Sequence, residues 1–201
     1  MNRILHLGTA CLAVLITLLL CATTASAHIE SGQAGGFLIG LSHPWSGLDH
    51  VLAMVAVGLW GAQLGKPAIW LLPVTFPMVM ATGALLGLLG MALPGVETGI
   101  AVSAILLGIM VCAETRPKLV VAAVLVAFFA IFHGHAHGTE LPPGQSGLLY
   151  SMGFVLGTGI LHGFGVLLGL VHRWPSGALA LRGAGACITI MGVTFLWQAL
   201  S

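Results

Sequence analysis

Long apolar runs, broken at short intervals by Gly, Pro and charged residues, organise this chain. A bilayer core needs about 20 apolar residues per helix, within a range of about 17–25. On that measure the runs predict spans at about 43–64, 68–91, 96–113, 118–140, 147–171 and 178–199. The breaks carry turn residues: Gly65-Lys66-Pro67, Pro94-Gly95, Arg116-Pro117-Lys118, Pro142-Pro143-Gly144 and Arg173-Trp174-Pro175. No soluble domain fits in loops this short. Residues 1–27 follow a different pattern: Met1-Asn2-Arg3, an apolar stretch to about Leu20, then Ala25-Ser26-Ala27. That is the layout of a cleaved signal peptide, with His28 as the first mature residue. The expected fold is all-α: a polytopic membrane protein, with 28–201 forming a six-transmembrane-helix bundle.

Composition narrows the function classes. The chain is 58% hydrophobic, with six Lys+Arg and five Asp+Glu in 201 residues and a mean hydropathy of +1.09. A soluble domain would carry about 25% charged residues, so this chain could not cover a soluble surface. A net charge of +1 supplies no footprint for nucleic acid. Among the 29 glycines, the pairs Gly83/Gly87, Gly153/Gly157 and Gly165/Gly169 have the small-xxx-small spacing that lets helices approach closely in lipid. Cys112 and Cys187 lie in apolar segments with no motif spacing, so no disulfide framework is implied.

The basic residues set an orientation. Lys66, Arg116, Lys118, Arg173 and Arg182 all fall on one side of the six spans, which the positive-inside rule makes cytoplasmic. A bacterial inner-membrane protein with both mature termini on the periplasmic side is expected.

Ionisable residues within spans are expensive and mark function by default. Here they cluster. The first span opens His43-Pro44-Trp45-Ser46-Gly47-Leu48-Asp49-His50. Seven residues are close to two helical turns, which would put His43 and His50 on one face, with Met54 a turn below His50 as a weaker thioether donor. The fourth span ends Phe132-His133-Gly134-His135-Ala136-His137-Gly138-Thr139-Glu140. His133, His137 and Glu140 share a stripe, with His135 on the opposite side as a weaker member. His162 sits near the middle of the fifth span, and His28, beside Glu30, could chelate weakly at the mature N-terminus. The orientation brings both motifs to the outer half of the membrane. The inferred path enters through His133, His137 and Glu140, engages Asp49 and His50, and passes His162 toward the cytoplasm. Structural readings stand beside this one: an ion pair at Asp49-His50 that fixes the bundle, and a solvated helix end at His133/His137/Glu140. His172, beside Arg173, reads as interfacial.

Imidazoles and carboxylates without thiolates suit Ni²⁺, Co²⁺ and Zn²⁺. The chain has no ATPase motif, and none is needed. A divalent cation entering an inside-negative membrane gains about 4.6 kcal/mol per 100 mV, on the order of a thousandfold in concentration. Proton exchange through Asp49, Glu140 and the histidines is also open.

The strings His43-Pro-x-x-Gly-x-Asp49-His50 and Phe132-His133-Gly-x-Ala-His137-Gly-x-Glu140 resemble the two signatures of the HupE/UreJ family of hydrogenase/urease accessory membrane proteins. The resemblance extends over the whole chain. It implies a nickel or cobalt permease with no resident cofactor, the ion being cargo, and carries over His43, Asp49, His50, His133, His137 and Glu140 as functional positions. It does not separate nickel from cobalt. Two other functions compete. One is an intramembrane zinc-dependent hydrolase, with several histidines holding the zinc, an aspartate in catalysis and an activated water at an open fourth position, Ser42 or Ser46 beside His43 and Asp49 being available to it; the other is a non-transporting subunit that delivers metal to a partner. The expected partners are the divalent ion and the lipid bilayer, with a metallochaperone or a second copy of the chain left open.

Overall fold

A computed structural model describes residues 33–201. The expected signal segment and His28 lie outside the described residues. The described chain is helical: α1 (Gln33–Ser42), a 3-10 turn (His43–Trp45), α2 (Leu48–Leu64), α3 (Ala68–Leu88), α4 (Val96–Cys112), α5 (Leu119–Thr139), α6 (Gly147–Gly169), a second 3-10 turn (Leu170–Arg173) and α7 (Pro175–Leu200). The element boundaries follow the turn residues. Gly65 and Gly95, in left-handed conformations at φ 76° and 70°, start the connections between α2 and α3 and cap α4, a geometry glycine adopts without strain.

Four stretches are long and apolar enough to cross a bilayer: Ala68–Leu88, Leu119–Thr139, Gly147–Arg173 and Pro175–Leu200. These correspond to four of the six expected spans. The last begins at Pro175 rather than 178, because proline suits the first turn of a helix. The third expected span is the 17-residue helix Val96–Cys112, about 25 Å long at 1.5 Å per residue.

The first expected span is not one helix. Its helical part starts at Leu48 instead of 43, and α1 and α2 are bent by 78° across the break between them. Pro44 occupies the 3-10 turn, Ser46 N–H bonds to His43 O, and Gly47 is extended at φ −105°, ψ 119°. Proline removes a backbone donor and the extended glycine redirects the chain, so His43 and His50 do not share one helix face.

Helix α2 is the hub. Thirteen of its seventeen residues are buried, and it packs against α6, α4, α3 and α7. Around it, α1 lies on α6, α3 pairs with α5, and α4 pairs with α7. The outer surface is apolar, with Trp70, Met78, Val120, Leu148, Leu179 and Trp197 exposed, whereas His50, His133, His135, His137 and His162 are buried. That inverts the soluble arrangement and is what a lipid solvent selects. The chain is a polytopic helical membrane protein.

Glycines set the helix separations. A methyl group on Gly83 would meet Ile131 O, and one on Gly87 would meet His135 O; across the same interface, Gly134 and Gly138 abut the carbonyls of Met80 and Ala84. Helices α3 and α5 are thus in backbone contact on both sides. Gly153 and Gly157 admit the α1 backbone at Phe37 and Leu41, and Gly165 and Gly169 admit α2 at Val55 and Leu59. All three expected glycine pairs lie in interfaces. The fourth, Gly134/Gly138, is interleaved with the histidines of α5.

Candidate functional site

The break after α1 and the C-terminal end of α5 come together at one rim of the bundle. His43 Nε2 lies 2.8 Å from Glu140 Oε2, across 97 residues of sequence. His137 Nδ1 lies 3.3 Å from the same oxygen, close enough for charge attraction but outside hydrogen-bond geometry. One ligand atom from each of His43, His137 and Glu140 can be chosen so that all lie within 4.8 Å of one another. The carboxyl of Glu140 is held well below the usual range by the His137 and His43 imidazoles beside it, so it stays an anion at any physiological pH. Beside His137 a cavity of about 20 Å³ opens between α3 and α6, lined by Met80, Ala84, Tyr150 and Phe154 among others. That is room for one water or ion.

From this rim the imidazoles continue inward in a file. The His137 ring centroid is 4.7 Å from that of His43 and 4.3 Å from that of His50, and His50 is 4.8 Å from His133. Helix α2 contributes His50, while the i,i+4 pair on α5 supplies His133 and His137. His43 and His50 do not share a helix face; the His137 ring stands next to both. His133 lies deeper than the entrance position expected of it. It is fully buried, with His50 between it and the rim-side His137.

Hydrogen bonds decide which nitrogens are free. Asp49 Oδ1 accepts from the His50 backbone N–H at 2.9 Å and from His50 Nδ1 at 3.0 Å, which leaves the lone pair of His50 on a buried, unpartnered Nε2. Asp49 stands behind His50, the arrangement in which a carboxylate orients a ligating imidazole. It also lies in the first turn of α2, where the helix dipole favours an anion. Ser103 of α4 does the same for His133. Its hydroxyl donates to Ile100 O at 2.6 Å, so at 2.9 Å it can only accept from His133 Nε2. The His133 lone pair is therefore on Nδ1, buried and without a partner. Both nitrogens of His137 and of His162 are likewise buried without hydrogen-bond partners.

The remaining candidates divide. His135 donates from Nε2 to Met91 O at 2.7 Å and ties α5 to the connection after α3. Met54 is fully buried in the apolar core. His162 stands apart from the file, with Phe76 between: the Phe76 centroid is 5.3 Å from both His133 and His162. His172 donates to Gly169 O at 2.8 Å and caps the end of α6. Ser103 and Phe76 were not singled out in the sequence. A small hydroxyl and an aromatic within apolar runs carry no periodic signal, although a lone Ser in a span is a cue for an interhelical hydrogen bond.

Two comparisons match this sequence to known chains. The model of the HupE / UreJ protein family matches residues 16–195, which spans both histidine motifs. The chain belongs to the HupE/UreJ family. It is 44% identical over 181 residues to Protein HupE of Rhizobium leguminosarum bv. viciae, covering 90% of this chain and 95% of that protein. No solved structure matches it.

Proposed function

We propose that the chain carries a divalent transition-metal ion, Ni²⁺ or Co²⁺, into the cytoplasm by secondary transport for metalloenzyme maturation. The observation that carries this reading is the convergence of His43, His137 and Glu140 within ligand-atom distances of 4.8 Å, at the mouth of a file of imidazoles with free lone pairs. Nitrogen donors with one carboxylate and no thiolate suit these ions. HupE/UreJ membership supports the same ions, and the membrane potential supplies the drive.

His43, His137 and Glu140 capture the ion. His50 and His133 take it inward, each oriented from behind by Asp49 or Ser103. A hydrolase fits less well. A zinc hydrolase attacks with a metal-activated water at one closed three-ligand site, whereas here the imidazoles continue inward past the rim cluster as a file, as a path would. The test is radiolabelled Ni²⁺ and Co²⁺ flux into proteoliposomes, with and without an inside-negative potential, for wild type and His50→Ala. Potential-driven uptake that the variant loses is the expected result. Absence of flux from an oriented, folded preparation would overturn transport and favour a metal-delivery subunit.

A further inference from the structure

We propose that Phe76 is a gate, and that His162 with Thr158 forms an inner holding site for the same cation on its far side. This deepens the transport reading and rests on it. The outer imidazoles touch one another in sequence at 4.3–4.8 Å between ring centres. Between His133 and His162 that continuity is interrupted by the Phe76 ring, edge-on to both at interplanar angles of 62° and 76° and fully buried. A phenyl ring offers no lone pair, so an ion held at His133 reaches His162 only when the ring moves aside.

The inner side is built for an occupant. His162 has both ring nitrogens buried and unpartnered, and Thr158 Oγ1 is fully buried and unpartnered as well. The two are i,i+4 on α6 and so lie on one face. Unpaired buried donors and acceptors cost their full desolvation. A nitrogen and a hydroxyl oxygen one turn apart, in an otherwise apolar stretch, fit a borderline divalent cation that visits and leaves. The helix that carries the gate has a local means of moving. Pro73 and Pro77 flank Phe76 inside α3, and each removes one i→i−4 backbone bond. The segment beside the ring therefore lacks two of the bonds that stiffen a helix.

Stopped-flow addition of Co²⁺ to the purified full-length protein, read by its d–d absorption, tests the arrangement. Wild type is expected to bind in two phases, a fast one at the outer imidazoles and a slow one at the inner site. Phe76→Leu and Phe76→Ala should accelerate the slow phase, tenfold or more for alanine. His162→Ala should abolish the slow phase while leaving the fast one, and Thr158→Val should weaken it. Persistence of the fast phase shows that each variant is folded. A slow phase that survives His162→Ala, or one unmoved by either Phe76 variant, overturns the gate while leaving the outer site standing. Absence of any fast phase sensitive to His50→Ala overturns the transport reading, and the gate with it.

Discussion

Asp49→Asn separates a carboxylate that positions a ligand from one that is a ligand. Asp49 Oδ1 accepts both the backbone N–H of His50 at 2.9 Å and its Nδ1–H at 3.0 Å. The amide oxygen of asparagine can accept both bonds in the same geometry, so the substitution removes the charge and little else. A hydrogen bond to a charged group contributes about 1.5–3 kcal/mol and one between neutral groups about 0.5–1.5. The difference, roughly 1–1.5 kcal/mol, is about tenfold in affinity. Groups that orient a ligating histidine from behind are typically worth about 10–100-fold, and the two figures agree at their lower end. The assay is calorimetric titration of Ni²⁺ and Co²⁺ in detergent, comparing wild type, Asp49→Asn and His50→Ala. Asp49→Asn should bind with unchanged stoichiometry and about tenfold weaker affinity, well short of the loss in His50→Ala. A variant as defective as His50→Ala would make Asp49 a direct ligand. Affinity unchanged within twofold would show that Asp49 does not position His50 for the ion.

Three further outcomes follow from the packing and the charges. Gly134→Ala places a methyl against the Met80 carbonyl and should cost about 1–3 kcal/mol by overpacking the α3–α5 interface; Gly159→Ala, which meets nothing within 4 Å, is the neutral control, and equal melting temperatures for the two variants would refute the packing argument. Ser103→Ala removes the acceptor that orients His133 and should lower Co²⁺ affinity about tenfold, with Ser103→Thr restoring most of it; alanine and threonine variants that bind alike would show the bond to be idle. Glu140 titrates below its ordinary value of 4.5 because of His137 and His43, so its contribution to stability is complete above about pH 4.5 and is lost as the pH falls through the lowered value. Thermal unfolding across pH 7 to 3 should show an acid-side decline that is smaller in Glu140→Gln, and parallel profiles for the two proteins would contradict the pairing.

Much of the bundle was legible along the chain. Apolar run length, Gly and Pro at the breaks, and small residues four apart are local signals. They placed α3, α5 and α6 within a few residues and named three of the glycine pairs that hold the helices together. The α5 stripe of His133, His137 and Glu140 was legible for the same reason, since helical periodicity is a short-range property. The break before α2 was not. Pro44 suits a first helical turn as well as it suits a 3-10 turn, and only the extended Gly47, with 78° between the flanking helices, distinguishes the two. Gly134 and Gly138 have the same four-residue spacing, but only the contacts with the Met80 and Ala84 carbonyls show that they serve the α3–α5 interface.

The sequence by itself determined that this is a helical membrane protein, which residue types could take a divalent ion, and which family the motifs resemble. Only the tertiary structure decided how those residues meet. His43 reaches Glu140 across 97 positions, His137 joins His43 to His50 across the break, Ser103 on another helix selects the tautomer of His133, and Phe76 stands between His133 and His162. Periodicity fixes which side of a helix a residue occupies. What faces that side depends on contacts between helices far apart in the chain, set here by glycines whose missing side chains let backbones touch.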